Sequence, residues 1–337
     1  LSSAQRTNTF IHERIGSALL DWYARHGRDL PWRATRAPYP VWISEIMLQQ
    51  TQVKTVLPRY TAWFNRFPTV QALASAPLDD VLKAWEGLGY YRRALLLHEA
   101  AGRVVAEHHG QFPHAYADIL KLPGIGRSTA GAIASFCFGL NTPVLDGNVK
   151  RVLRRWHDAA QASDTELWEL ARSAMDEAPD PGGWNQAMME LGATICIPRR
   201  PACRACPAAT ACRSAFKTPA ETSRRPARVK DVYWQVHLHA DPEKGLWLTK
   251  RPESGIWAGL WTPPITELAK PPGAPPCHIH QLTHRRLHLY GAISGSAPSG
   301  DGRWASDLTQ FALPTGIHRL LAKYGLHRKN ETRNRPL

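Results

Sequence analysis

From residue 10 to about residue 195, apolar positions recur at spacings of three and four, the period of a helix with one face turned inward. FIHERIGSALLDWYARHG, VWISEIMLQQTQVKTVLPRYTAWFNRF, LDDVLKAWEGLG, YRRALLLHEAAGRVVAEHHG, YADILKLPGIG and STAGAIASFCFG all carry this spacing. Pro68, Pro77, Gly87, Gly89, Gly110, Pro113 and Gly124 punctuate the series, so this part is expected to be all-α. The pattern changes at KTPAETSRRPARVK, a run of Pro, Ser, Thr and Arg with almost no large apolar residue, which reads as an exposed linker. Beyond it, VYWQVHLHA, GLWLTKRP and CHIHQLTHRRLHLYGAIS alternate apolar and polar residues as strands do. The expected organisation is a helical domain over 1–216, a linker over 217–231, a smaller α+β domain over 232–325 and a basic tail over 326–337.

Composition narrows the picture. With 337 residues the chain is long enough for two domains with separate cores. No apolar run approaches the roughly 18 residues that span a bilayer, so a membrane partner is not expected. The segment LSSAQRTNTFIHERIG has no apolar core followed by a small-residue cleavage site, so a cytoplasmic, reducing setting is expected. Lys and Arg number 42 against 28 Asp and Glu, a formal charge of +14. Such a field attracts polyanions, of which nucleic acid is the commonest, although a merely soluble basic protein has the same balance.

Four of the six cysteines fall in CIPRRPACRACPAATAC, with spacing C-x6-C-x2-C-x5-C over Cys196, Cys203, Cys206 and Cys212. In a reducing compartment such a cluster points to metal rather than disulfides. Zinc sites usually offer two close ligand pairs separated by a long arm, whereas here the thiols are strung around one short loop. That arrangement better suits an iron–sulfur cluster held by four thiolates, with zinc as the alternative. Arg199, Arg200, Arg204 and Arg213 share the loop, so a bound cluster would fix a basic surface in place.

LPGIGRSTAGAI sets Gly124 and Gly126 in a turn between two helical stretches. Glycine lets the backbone bend tightly, and the helix that follows begins with unpaired N–H groups and a positive dipole end. Such a turn can seat a DNA phosphate, or it can be an ordinary corner between helices. In VLDGNVKRVLRRW, Asp146 stands just before an amphipathic helix, where aspartate commonly caps the first N–H groups. It would also serve a reaction that brought developing positive charge close to it.

Taken in order, LPGIG, VLDGN and the cysteine loop resemble the iron–sulfur branch of the helix-hairpin-helix DNA glycosylases. WISEIMLQQTQV and GLGYYRRA narrow the resemblance to the adenine DNA glycosylases, and it extends over residues of roughly 15 to 215 and into the C-terminal part. It implies an all-α helix-hairpin-helix core with one 4Fe–4S cluster, structural rather than redox-catalytic, followed by an α+β Nudix-like domain. The implied partner is duplex DNA carrying adenine opposite 8-oxoguanine or guanine, bound by a monomer in the cytoplasm or nucleoid.

The resemblance also implies roles for single residues. WISEIMLQQTQV reads as a helix with Glu45, Gln49 and Gln52 on one face near Leu48; Glu45 would be the catalytic acid, where sequence alone would make it a solvated polar residue. A glutamate in a partly dry pocket has a raised pKa and can protonate the departing adenine, while Asp146 stabilises the oxocarbenium-like sugar. Trp32, Arg33, Leu48 and Glu190 would line the adenine pocket, with Ser128 and Asn148 near the reacting sugar. The strand-cutting relatives carry a lysine nucleophile where Ser128 stands, so base removal alone is expected. Gln50, Thr51, Leu88 and Tyr90 would contact or enter the base stack, and Gly124, Gly126 and Lys150 would meet the backbone. GLWLTKRPESGIWAGLWTPP resembles the start of a Nudix domain, but Glu267 is the one acid in ITELAKPPGAPP, so pyrophosphate hydrolysis is not expected. Leu282, Thr283 and His284 of QLTHRRLHL align with the family's Phe-Ser-His loop for 8-oxoguanine, departing from it at the first two positions. A DNA-binding or redox-sensing regulator would share the charge and the cysteines, but not the pairing of Glu45 with Asp146.

Overall fold

The computed structural model describes residues 16–176, 178–217, 229–294 and 300–326. The expected linker over 217–231 lies outside the described residues except for 217 and 229–231, and the expected tail does so after residue 326. In chain order the helices are α1 (16–26), α2 (Pro38–Leu48), α3 (Val53–Arg66), α4 (Val70–Ser75), α5 (Leu78–Ala84) and α6 (Arg92–His108). There follow α7 (Tyr116–Lys121), α8 (Arg127–Phe138), α9 (Gly147–Trp156), α10 (Asp164–Met175) and α11 (Pro181–Thr194). The C-terminal part holds β1 (Lys230–Asp241), β2 (Gly245–Lys250), β3 (Trp261–Thr262), β4 (Ile265–Leu268), β5 (His278–Gln281), β6 (Arg285–Ser294), β7 (Gly302–Ala305) and α12 (Thr315–Lys323). A helical part followed by an α/β part is the expected class.

One expectation fails. The stretch from Val41 to Phe67 is two helices, since α2 stops at Leu48 and α3 begins at Val53. Gln49 leaves the helix at φ −58° and ψ 111°, and Gln50 adopts φ 56°. Gln49 and Gln52 are therefore not on a helical face with Glu45. The apolar spacing runs on across the break, and no Gly or Pro announces it.

The chain forms two compact units, which do not follow its order. The first takes in Leu1–Val56, Phe67–Ala74 and Glu99–Thr222 so far as these are described; the second takes in Leu57–Arg66, Ser75–His98 and Ser223–Leu337. In the first unit α11 packs on α8 and α9, and α2 packs on α8. Leu19, Val152, Leu153, Trp156, Trp184 and Leu191 lie at the centre of its core. Burying such side chains contributes about 1.5–3 kcal/mol each.

In the second unit, Val232, Trp234, Val236 and Leu238 alternate inward along β1 and meet Ile317, Leu320 and Leu321 of α12. Strand β1 runs parallel to β6 from Lys230↔Arg285 to His239↔Ser294 and antiparallel to β4 and β2. The strand order is β3-β2-β1-β6-β5, with β4 also on β1 and β7 on β2, which leaves β5 at an edge. Glu267, the lone acid where a Nudix hydrolase needs a glutamate-rich helix, lies in β4 and accepts from Trp234 Nε1 at 3.3 Å.

Candidate active site

Helix α2 is apolar over most of its surface, burying Val41, Trp42, Ile43, Ile46 and Met47, and Glu45 is the one acid on it. Half-buried, Glu45 has its pKa pushed up to about 7. Desolvation is the larger cause, the negative charge of Asp146 adds to it, and the Arg33 guanidinium works against both. Two carboxylates and an arginine thus act on one another, and near neutral pH Glu45 is held between its two protonation states. Cys137 of α8 feels the same acid, and burial first and then Glu45 push its thiol up to about 12.

Asp146 is fixed by the loop before it and the helix after it. Gly139 ends α8 in the left-handed conformation, φ 65°. The buried Asn185 of α11 then pins the returning chain, accepting from Val144 N at 3.1 Å and donating to Thr142 O at 2.9 Å and Ser135 Oγ at 2.8 Å. Ser128 Oγ accepts from Leu145 N at 3.1 Å and so holds the backbone next to Asp146. The loop passes so close to α8 that a Cβ on Gly131 would lie 2.3 Å from Pro143 O. Asp146 then caps α9, its Oδ1 accepting from Val149 N at 2.8 Å and its Oδ2 from Asn148 Nδ2 at 3.1 Å. The cap and the proximity to Glu45 coexist.

The expected pocket residues divide. Trp32 lies in a short 3-10 turn, Pro31–Arg33, and is 6% exposed; Leu48, the last residue of α2, is half-buried. Glu190 has a fully buried side chain with both carboxylate oxygens engaged. Arg28 donates from Nε to Oε1 at 2.7 Å and from Nη2 to Oε2 at 2.8 Å, and Arg33 Nη2 donates to Oε2 at 2.8 Å. Burial alone would raise the Glu190 pKa, but the two arginines hold it below the usual carboxylate value. Glu190 thereby anchors Arg33. Arg28 was not foreseen. Nothing local marks it; the one available signal was Glu190 itself, an acid among Ala187, Met188 and Leu191 that required a cation from elsewhere.

Helix α9 faces the cysteine loop along its other side. Arg151 donates to Asn148 Oδ1 at 2.9 Å and to Cys196 O at 2.7 Å, and Arg155 donates to Ile197 O at 2.8 Å, Pro198 O at 2.7 Å and Cys196 Sγ at 3.3 Å. Burial pushes the Cys206 thiol up to about 11, and the charges of Cys196, Cys212 and Cys203 each add to the shift. No three His, Cys, Asp or Glu side chains among the described residues gather as ligands of one metal ion. Four free thiols that act on one another electrostatically, with an arginine donating to one sulfur, are donors of the kind that suits an iron–sulfur cluster.

The residues expected at DNA are mostly on turns. Gly124 has φ 75°, and Gly126 precedes α8 where a Cβ would meet nothing within 4 Å, which leaves the backbone open to a close partner. Lys150 is paired with Asp164 Oδ2 at 2.6 Å, so a phosphate would have to displace a surface ion pair. Gln50 is exposed at φ 56°, and Thr51 Oγ1 donates to Gln49 O at 3.3 Å.

In the second unit Tyr90 has φ 48° and is 48% exposed. Its turn is held by Arg93, which donates to Leu88 O and Gly89 O at 3.0 and 3.1 Å and lies over the Trp85 and Tyr90 rings at 5.2 and 5.6 Å. Leu88, expected at the base stack, is turned inward and 4% exposed. Leu282, Thr283 and His284 form the turn between β5 and β6, closed by Leu282 N donating to Arg285 O at 2.8 Å. Leu282 is partly buried against the core, while Thr283 and His284 are exposed. Thr283 Oγ1 and Tyr90 Oη share a hydrogen bond of 2.9 Å.

Comparison with known proteins adds to this geometry. The HhH-GPD superfamily base excision DNA repair protein family matches residues 43–175, and the NUDIX domain family matches residues 235–323. An adenine DNA glycosylase of Buchnera aphidicola subsp. Baizongia pistaciae is 41% identical over 252 residues, which cover 72% of this chain and 71% of that one. The adenine DNA glycosylase of Mus musculus is 40% identical across 93% of this chain and 78% of its own. Among solved structures, a thermostable thymine-DNA glycosylase has a TM-score of 0.57 at 29% identity, covering 61% of this chain and 96% of its own.

Proposed function

The chain belongs to the adenine DNA glycosylase family, and from that premise we propose that it removes adenine mispaired with 8-oxoguanine or guanine from duplex DNA. The observation that most supports this reading is Glu45, raised to about 7 in a mostly apolar helix beside Asp146 and Arg33. Adenine leaves poorly as an anion, so an acid partly protonated at neutral pH lowers the barrier by protonating the imidazole ring before the glycosidic bond breaks. Asp146, its oxygens aimed by Val149 N and Asn148 Nδ2, then faces the oxocarbenium-like sugar, and water completes the hydrolysis. A base inside a duplex is out of reach, so the adenine is flipped out, with Gln50 and Tyr90 filling the stack. The Thr283 turn reads the opposite base.

Ser128 offers no amine for a Schiff base and is engaged with Leu145 N, which favours base removal without strand cutting. Cys196, Cys203, Cys206 and Cys212 would hold one 4Fe–4S cluster, whose contribution when bound is to fix the arginine-bearing loop against phosphates. In this reading residues 1–216 carry the chemistry and 232–325 the lesion recognition, in a monomer acting in a reducing, cytoplasmic compartment. Among the described residues no helix is long and apolar enough to cross a membrane.

The test is single-turnover base release from duplexes carrying adenine opposite 8-oxoguanine, guanine or thymine. Strand breaks that require alkali and arise only in the mispaired duplexes are expected. Tight binding with no release of adenine from any of them would sink the catalytic assignment.

A further inference from the structure

The second unit contains a cluster of charged side chains that the proposed chemistry does not use. Glu86, 14% exposed, accepts from Lys83 Nζ at 2.5 Å and is hydrogen-bonded to His318 Nε2 of α12 at 2.5 Å. Burial would raise this carboxyl, yet His318 and Lys83 together bring it down to about 2. Lys83 also donates to Phe311 O at 2.9 Å. One turn earlier, Asp79 accepts from Lys250 Nζ at 2.6 Å and from Trp261 Nε1 at 3.3 Å. Between these polar links, Gly259 lies against Leu82 and Leu95, where a Cβ would meet them at 3.5 and 3.8 Å. Apart from the Lys83–Glu86 pair, which lies within it, these contacts join the short stretch 79–95 to residues of the C-terminal part.

That stretch carries Tyr90. A turn with positive φ at Gly87, Gly89 and Tyr90 is a hinge unless something outside it sets its direction. The hydrogen bond from Tyr90 to Thr283 of the β5–β6 turn lies between two exposed side chains, and it cannot fix that direction by itself. The links differ in weight. Asp79 and Lys250 are 39% and 43% exposed, and a surface pair contributes little. Glu86 is largely withdrawn from water, and removing its partner would leave a buried charge.

We infer that Glu86 and His318, with Lys83, are positioning residues for lesion discrimination, seating the Tyr90 turn on the C-terminal sheet so that Tyr90 and Thr283 present one reading edge to the base opposite adenine. The inference rests on the reading above that this edge meets 8-oxoguanine. None of the three residues belongs to the unit that holds Glu45 and Asp146, so their loss should alter the choice of duplex more than the chemistry.

The experiment measures single-turnover rates on adenine opposite 8-oxoguanine and opposite guanine for the wild type, Glu86→Ala, His318→Ala, the double variant and His318→Gln. The rate ratio between the two duplexes is expected to fall about tenfold or more in each alanine variant, since small misplacements are costly. The double variant should be no worse than the singles, because one contact has been removed. His318→Gln, which keeps a donor at similar reach, should recover part of the ratio, and the rate opposite guanine should hold. His318 is half-exposed and its loss leaves Glu86 paired with Lys83, so that variant keeps the test open if Glu86→Ala does not fold. A wild-type preference that survives unchanged in folded variants overturns this inference alone, as does an equal loss on both duplexes. A wild type with no preference overturns the reading beneath it as well.

Discussion

The two units solve opposite problems. Around Glu45 and Asp146 the chain withdraws charge from water and balances it internally, with a raised acid, a capped carboxylate and an arginine anchored by a fully buried glutamate. Around Tyr90 and Thr283 it keeps both side chains exposed, leaves the Tyr90 backbone in an unfavourable region, and sets paired charges on the stretch that carries Tyr90. Chemistry on a base needs a controlled field, which water would screen. Reading a base needs groups already at the surface in a fixed direction, so the energy of fixing them is supplied one layer away.

The largest expected effect breaks the comparison on the catalytic side. Glu45→Gln keeps the shape of α2 and removes the proton, so base release should fall by about 10²–10⁴. Binding to the mispaired duplex, followed by gel shift, should persist. A Gln variant that still releases adenine at the wild-type rate would falsify the role of Glu45.

Next comes the anchor. Glu190→Ala leaves Arg33 without its buried partner and should cost about 3 kcal/mol, toward the low end for a buried pair because Arg28 is 39% exposed. The midpoint of urea unfolding should drop clearly, whereas Thr283→Ala at the exposed turn should leave it almost unmoved. Equal midpoints would erase the contrast between buried and surface-held charge.

The pH dependence sharpens the same contrast. Base release that needs protonated Glu45 should decline as pH rises through about 7, approaching tenfold per unit above it. Because its pKa is raised in the folded state, the stability it contributes is complete below its ordinary value of 4.5 and is lost as pH climbs toward 7. The ratio of rates opposite 8-oxoguanine and guanine should be flat over that interval, since Glu45 acts on both duplexes alike. The smallest effect is expected from Tyr90→Phe. It removes one exposed hydrogen bond, of about 0.5–1 kcal/mol at the low end of the usual range, and should lower that ratio by less than tenfold.

Parts of the candidate site were legible in order along the chain. Asp146 read as a cap and is one, and the glycine turn and the cysteine spacing are local patterns. The break after Leu48 was not legible, because the amphipathic period continues through Gln49–Gln52 and the positive φ falls on glutamine rather than glycine. The links that seat Tyr90 are beyond sequence reading, since Glu86 and His318 stand 232 positions apart and each looks like an ordinary surface polar residue.

The close pass at Gly131 bears on which mutations the gene can tolerate. One added methyl would press on a carbonyl of the loop that leads to Asp146, and that atom is backbone, which cannot swing aside as a side chain would. Ser128, three residues earlier on the same helix, holds that loop by a hydroxyl that threonine also carries. In a saturation screen scored for suppression of mutation, position 131 should accept glycine alone, while position 128 should tolerate threonine and reject alanine only mildly. The permitted spelling of α8 is thus written by the loop lying across it.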